Sequence, residues 1–140
     1  MDKFELNKND LSLIEIASKD FNKKLQHDWH GVSTAIQNKS GKITTGLVLE
    51  SEVSSLTVCA ESIAIGKALD FLADDPIERI VTVRKREKTD SKVISPCGRC
   101  REFINDYAPD ALVIIYDQNT KELFKVTAES LLPFRYNSLD

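Results

Sequence analysis

The chain lacks any run approaching the ~20 apolar residues that carry a helix across a bilayer, so no membrane span is expected. Its first residues, Met1-Asp2-Lys3-Phe4-Glu5, have neither a basic start nor an apolar centre and are not expected to act as a secretory signal. Cysteine is scarce. Three in 140 residues is an odd number, far below the density of a disulfide scaffold, and free thiols suit a reducing cytoplasm. An excess of positive charge is also missing. Nineteen Lys and Arg stand against 22 Asp and Glu, a net charge of −3, which argues against a chain built to hold a long polyanion. There is no internal repeat, low-complexity tract or interdomain linker. One domain over residues 1–140 is expected, long enough for a full core.

The apolar residues are arranged in two periods. Leu13, Ile14, Ala17 and Phe21 share a face at helical spacing, which predicts a helix over 9–21. Val32, Thr34 and Ile36 alternate with Ser33, Ala35 and Gln37, the pattern of a strand. Ser40-Gly41 reads as a turn, and Ile43 to Leu49 as the returning strand. Residues 60–73 carry Ala64, Ile65, Ala68, Phe71 and Leu72, a helix apolar on several sides that Asp74-Asp75-Pro76 ends. Ile80, Val81 and Val83 mark a third strand, and a helix starting near Cys97 turns Phe103, Ile104 and Tyr107 inward. The continuous run Ala111 to Tyr116 predicts a strand covered on both faces. Leu123 to Val126 reads as a last short strand. The order α-β-β-α-β-α-β-β predicts an α/β sandwich with a mixed sheet of five strands.

The three cysteines fall where chemistry is expected. Cys59 opens Cys59-Ala60-Glu61, and the other two lie in Ser95-Pro96-Cys97-Gly98-Arg99-Cys100-Arg101. Three thiolates on Zn²⁺ leave a fourth tetrahedral position open, the arrangement of a catalytic site, with Glu61 as a spare carboxylate. Cys97 and Cys100 are three apart and share one side of a helical turn. Both cysteine segments sit at expected helix starts, where unpaired N–H groups and the helix dipole favour thiolate. A C-x-x-C pair alone is more often structural or redox, and a lone cysteine more often core. The combination with Glu61 and Pro96 is what raises the catalytic reading.

These two segments resemble the zinc-dependent cytidine deaminase superfamily, whose signature joins a His or Cys ligand and a non-ligand Glu to a downstream P-C-x-x-C. Gly41-Lys42-Ile43, Gly46 and Ser130-Leu131-Leu132-Pro133 extend the resemblance to roughly residues 30 to 136. The segment Val93 to Arg101 is especially close to the blasticidin S deaminase branch. The resemblance implies an α/β/α sandwich and Zn²⁺ on Cys59, Cys97 and Cys100. It implies Glu61 as the group that takes a proton from the attacking water and returns it to the ring nitrogen and departing amine. Three thiolates give the zinc site a net charge of −1, and relatives of the three-cysteine type often carry Arg after Cys-Ala-Glu. Here that residue is Ser62. Arg99, between two ligands, is the better of two substitutes for that charge, Arg101 being the other.

On the substrate side the same resemblance aligns Val48 and Glu50 with an Asn-x-Glu pair that holds a ribose. It aligns His30 with an aromatic residue that packs on the ligand, and Tyr136 with a C-terminal aromatic that enters a neighbouring subunit's site. Phe134 is the rival of Tyr136. Ala60 and Ser95, beside the ligands in the matched motifs, join the substrate set. The basic run Arg84-Lys85-Arg86-Glu87-Lys88 is read as a solvated loop rather than a nucleic-acid patch. The expectation is a cytoplasmic zinc hydrolase acting on a small cytosine-type nucleoside, as a homotetramer, with neither nucleic acid nor membrane as partner. A deaminase of a modified nucleoside such as blasticidin S, and a catalytically silent zinc-binding module, are the alternatives.

Overall fold

In a computed structural model, residues 1–21, 29, 31–86 and 90–138 are described. Helix α1 (Lys8–Asp20) leads into antiparallel strands β1 (Val32–Asn38) and β2 (Ile43–Leu47). Helix α2 (Ala60–Ala68) precedes β3 (Ile77–Arg84) and the short β4 (Lys92–Ile94). Helix α3 (Gly98–Tyr107) precedes β5 (Leu112–Asp117) and β6 (Glu122–Thr127).

The strands lie in the order β2-β1-β3-β5-β6, with β4 also paired to β3. Among the described residues only β3 and β5 run parallel, so the sheet is mixed as expected, but it has six strands there rather than five. The additional strand, β4, has three residues and one buried apolar side chain, Val93. That is too short to show a period of two.

Alternation along the strands divides the core into two layers. Ile36, Ile80, Val113 and Ile115 pack with Ala64, Ile65 and Ile104 from α2 and α3. Ala35, Val81, Val83 and Ile114 face the other way, against Leu13 and Ala17 of α1. The helices therefore sit one on one face and two on the other, which is the expected α/β/α sandwich. A capping box between Asn7 and Asp10 starts α1. Asp10 is fully buried and pairs with Lys125 of β6 at 2.6 Å and Arg79 of β3 at 3.5 Å. That ionic tie fastens α1 to the sheet.

Two predicted elements end early. The strand from Ile43 stops at Leu47, because Val48 still donates to the Val32 carbonyl but Leu49 turns away to pair with Val58. The helix from residue 60 is α-helical only to Ala68, then tightens into a 3₁₀ turn over Leu69–Phe71.

Candidate metal centre

Two chain segments deliver the cysteines to one place. The Leu49–Val58 bridge brings the chain to Cys59, the N-cap of α2, and β4 leads through Ser95 and Pro96 to Cys97, the N-cap of α3. Both helices pack on the same face of the sheet, so their N-termini converge. Gly46 makes this possible on the α2 side. A Cβ there would stand 2.5 Å from the Ala64 backbone nitrogen and 2.8 Å from the Ala60 carbonyl oxygen. Only a residue without a side chain lets β2 lie this close to the first turn of α2.

The Sγ of Cys97 lies 3.8 Å from that of Cys59 and 3.4 Å from that of Cys100, and all three fall within 4.8 Å of one another. Tetrahedral Zn–S bonds of about 2.3 Å would set the sulfurs about 3.8 Å apart, so the donor set fits zinc in type, number and spacing. Cys100 is buried, Cys59 half-buried and Cys97 exposed, which leaves one side of the cluster open. Neither N-cap cysteine uses its sulfur to cap its helix.

Burial raises the Cys59 thiol. It raises Cys100 far more, and the negative charge of Glu61 adds to that shift. At Cys97 burial also pushes upward, but the Cys100 backbone N–H and the neighbouring thiols outweigh it, and the net shift is down. Alone, the three groups do not all ionise near neutral pH. A divalent cation among them would supply the missing positive charge and displace the protons.

Glu61, the second residue of α2, is only 4% exposed. Among the described residues no hydrogen bond ties up its carboxylate, yet its charge is felt at all three sulfurs. The site thus joins three thiols spaced for a cation to a nearly buried carboxylate.

The other predicted site residues fall in two groups. Val48 and Glu50 flank Leu49, whose partner Val58 precedes Cys59, so the bridge lays their stretch of chain alongside the segment that enters α2. Val48 is buried and Glu50 half-buried. Ala60 is fully buried at the first position of α2, and the Ser95 hydroxyl donates to the Tyr116 carbonyl at 3.4 Å. Arg99 is exposed, its guanidinium 5.8 Å from the centre of the Phe103 ring. Tyr136 is 82% exposed and Phe134 fully so, with Phe134 held in the left-handed backbone region at φ 55°. Between them Arg135 pairs with Glu102 and Asp106 of α3. His30 lies outside the described residues, as do residues 87–89 of the basic run. Arg84 and Arg86 of that run are exposed.

Sequence reasoning missed two features. The Ser62 hydroxyl oxygen is buried without a hydrogen-bond partner among the described residues. Arg101 binds two backbone carbonyls, those of Pro96 and Leu131. Neither leaves a pattern, although Ser62 stood out as a departure from the matched motif.

Comparison with known proteins agrees with this geometry. The family model for the cytidine and deoxycytidylate deaminase zinc-binding region matches residues 7–116. The chain is 40% identical over 140 residues to the blasticidin-S deaminase of Bacillus cereus, covering 97% of this chain and 98% of that one. It is 27% identical over 109 residues to a cytidine deaminase of Sporosarcina psychrophila, 78% of this chain and 76% of that one. Among solved structures, the cytidine deaminase from Burkholderia pseudomallei superposes with a TM-score of 0.69 at 25% identity, over 94% of this chain and all of that one. The cytidine deaminase from Bacillus anthracis gives a TM-score of 0.75 at 24% identity, over 90% of this chain and 88% of that one, a likeness of fold.

Proposed function

The chain belongs to the zinc-dependent cytidine and deoxycytidylate deaminase family, and from that premise we propose that it hydrolyses the exocyclic amine of a cytosine-type nucleoside, releasing ammonia. The observation that carries the reading is the cluster itself. Three sulfurs within 4.8 Å stand at the starts of two helices beside the nearly buried Glu61.

Cys59, Cys97 and Cys100 would hold the metal. Bound zinc supplies the Lewis acidity that makes water acidic and nucleophilic near neutral pH. Glu61 takes the proton from the attacking water as its oxygen adds to the amidine carbon of the base. The carboxyl passes that proton to the ring nitrogen, then takes the remaining proton of the added hydroxyl and gives it to the departing amine, so that the carbonyl forms as ammonia leaves. One shuttling carboxylate serves as base and then acid. The N-termini of α2 and α3 place unpaired N–H groups toward the thiolates and offset their charge. Arg99, on the same helical turn as both ligands, adds positive charge from the solvent side, where water screens much of it.

Glu50 supplies the polar contact to the sugar, Val48 an apolar wall, and His30 packs on the ligand from the segment before β1. Ala60 and Ser95 line the base side. Tyr136 reaches into a neighbouring subunit's site, which makes the working form a homotetramer in the cytoplasm. Its exposure on its own chain, on a tail anchored by Arg135, supports this placement.

A second reading has its own support. The 40% identity to a blasticidin-S deaminase extends over nearly the whole chain, and Val48 removes the amide that would bind a ribose hydroxyl. Under this reading the substrate is a modified cytosine nucleoside of the blasticidin S kind. Ammonia release from cytidine, deoxycytidine, blasticidin S, adenosine and guanine decides between them. Turnover of cytidine or deoxycytidine supports the first reading, and turnover of blasticidin S alone supports the second. Release from adenosine or guanine alone contradicts both.

A further inference from the structure

Cys97 is the exposed ligand, and its position depends on the peptide that enters it. As the N-cap of α3 it has extended backbone angles, φ −68° and ψ 169°, and its side chain makes no capping bond. The preceding Pro96 is buried and has no N–H to anchor it. Rotation of the Pro96–Cys97 peptide plane would therefore swing the Cys97 sulfur away from its neighbours at 3.4 and 3.8 Å.

Arg101 opposes that rotation from the far side of the ligand pair. Its Nε donates to the Pro96 carbonyl at 3.0 Å, and its backbone N–H donates to the Cys97 carbonyl at 3.0 Å. One residue thus holds the two consecutive carbonyls that bracket the entry to Cys97. Its Nη1 donates to the Leu131 carbonyl at 3.1 Å, in the 3₁₀ turn over Glu129–Leu131. Asn105, one turn along α3, adds a parallel strap by donating to the carbonyls of Arg101 at 2.9 Å and Ala128 at 3.0 Å. Among the described residues the Arg101 guanidinium makes no hydrogen bond to a cysteine sulfur. Its Nε and Nη1 donate to backbone instead.

We propose that Arg101 is a positioning residue for the metal site: its guanidinium clamps the Pro96 carbonyl to the Leu131 carbonyl and so fixes the Cys97 sulfur in the ligand set. The proposal rests on the zinc reading given above. Arginine suits the task because its planar fork presents donors in fixed directions, so two carbonyls can be held at once. Lysine offers one compact ammonium on a flexible stem.

The test is zinc release from the zinc-loaded protein to an excess of a chromogenic chelator, well below the unfolding midpoint of each variant. Partners outside the ligand shell typically alter metal affinity 10- to 100-fold, so Arg101→Gln should release zinc roughly 10- to 100-fold faster than the parent. Arg101→Lys should fall between the two. Tyr107→Ala is the control. It removes the ring that stacks on Phe103 along α3 without touching Pro96, and zinc should leave it at the parent rate. A merely structural Arg101 would lower the unfolding midpoint and leave release unchanged, which overturns the proposal. Equal acceleration in Tyr107→Ala also overturns it, because general loosening of α3 would then suffice. If Arg101→Gln does not fold, Arg101→Lys carries the test, and release at the parent rate rejects the clamp. A parent protein that takes up no zinc rejects the metal reading itself. Stoichiometric zinc with unaltered release in the variants rejects the clamp alone.

Discussion

Cys59 Sγ and Cys97 Sγ stand 3.8 Å apart, although they lie 38 positions apart in the chain. That distance is an edge of the tetrahedron zinc prefers, and it arises where two helices from different parts of the chain begin side by side. Protein purified without added metal should therefore hold one zinc per chain by elemental analysis. Cys97→Ser should hold substoichiometric zinc. Undiminished zinc in that variant would reject the ligand assignment.

Close approach of β2 to α2 is as necessary as the ligands. Gly46→Ala would place a methyl group 2.5 Å from one backbone atom of α2 and 2.8 Å from another, and backbone cannot swing aside as a flexible side chain can. Overpacking of this kind costs about 1–3 kcal/mol. Urea unfolding should show that loss, and turnover should fall because Ala60 and Glu61 share the displaced turn. A variant with parental stability and activity would show that β2 and α2 do not need this contact.

The tie between Asp10 and Lys125 governs stability rather than chemistry. Asp10 is fully buried and Lys125 nearly so, hence Asp10→Ala leaves a buried ammonium with only its hydration to recover. Breaking a buried pair from one side costs about 3–5 kcal/mol. Chemical denaturation should record a loss of that order. Residual folded protein should keep its zinc, because the pair lies on the α1 side of the sheet.

For the C-terminal tail, Phe134 and Tyr136 are both exposed on either side of the anchored Arg135. Light scattering should report a tetramer, and Tyr136→Ala should weaken substrate binding more than folding. An aromatic contact contributes about 0.5–1.5 kcal/mol beyond its buried area. A fully active monomer would end the shared-site reading. Unchanged affinity in Tyr136→Ala with a loss in Phe134→Ala would move the role to Phe134.

The cysteine site was legible in the sequence because few residue types bind zinc, and their spacing had to suit one helical turn and two helix starts. The sandwich was legible because the run from Ala111 to Tyr116 is apolar on both faces, and in β5 Val113 and Ile114 do pack into opposite layers. What stayed hidden has no local period. Strand β4 buries a single apolar side chain, Val93. Asp10 and Lys125 meet across 115 positions. Arg101 looked like a cation for the thiolates, yet its hydrogen bonds go to carbonyls, which no side-chain pattern announces. Gly46 was visible as part of a resemblance, but the close approach that requires it depends on where α2 lies.

The most direct test of the account is turnover by zinc-loaded Glu61→Gln. Glutamine keeps the size of the side chain and removes its ability to carry a proton. The account predicts normal zinc content, a parental fold, and a loss of at least the ~10²–10⁴-fold that a positioned acid–base group contributes. Near-parental turnover in the folded, zinc-loaded variant would contradict it.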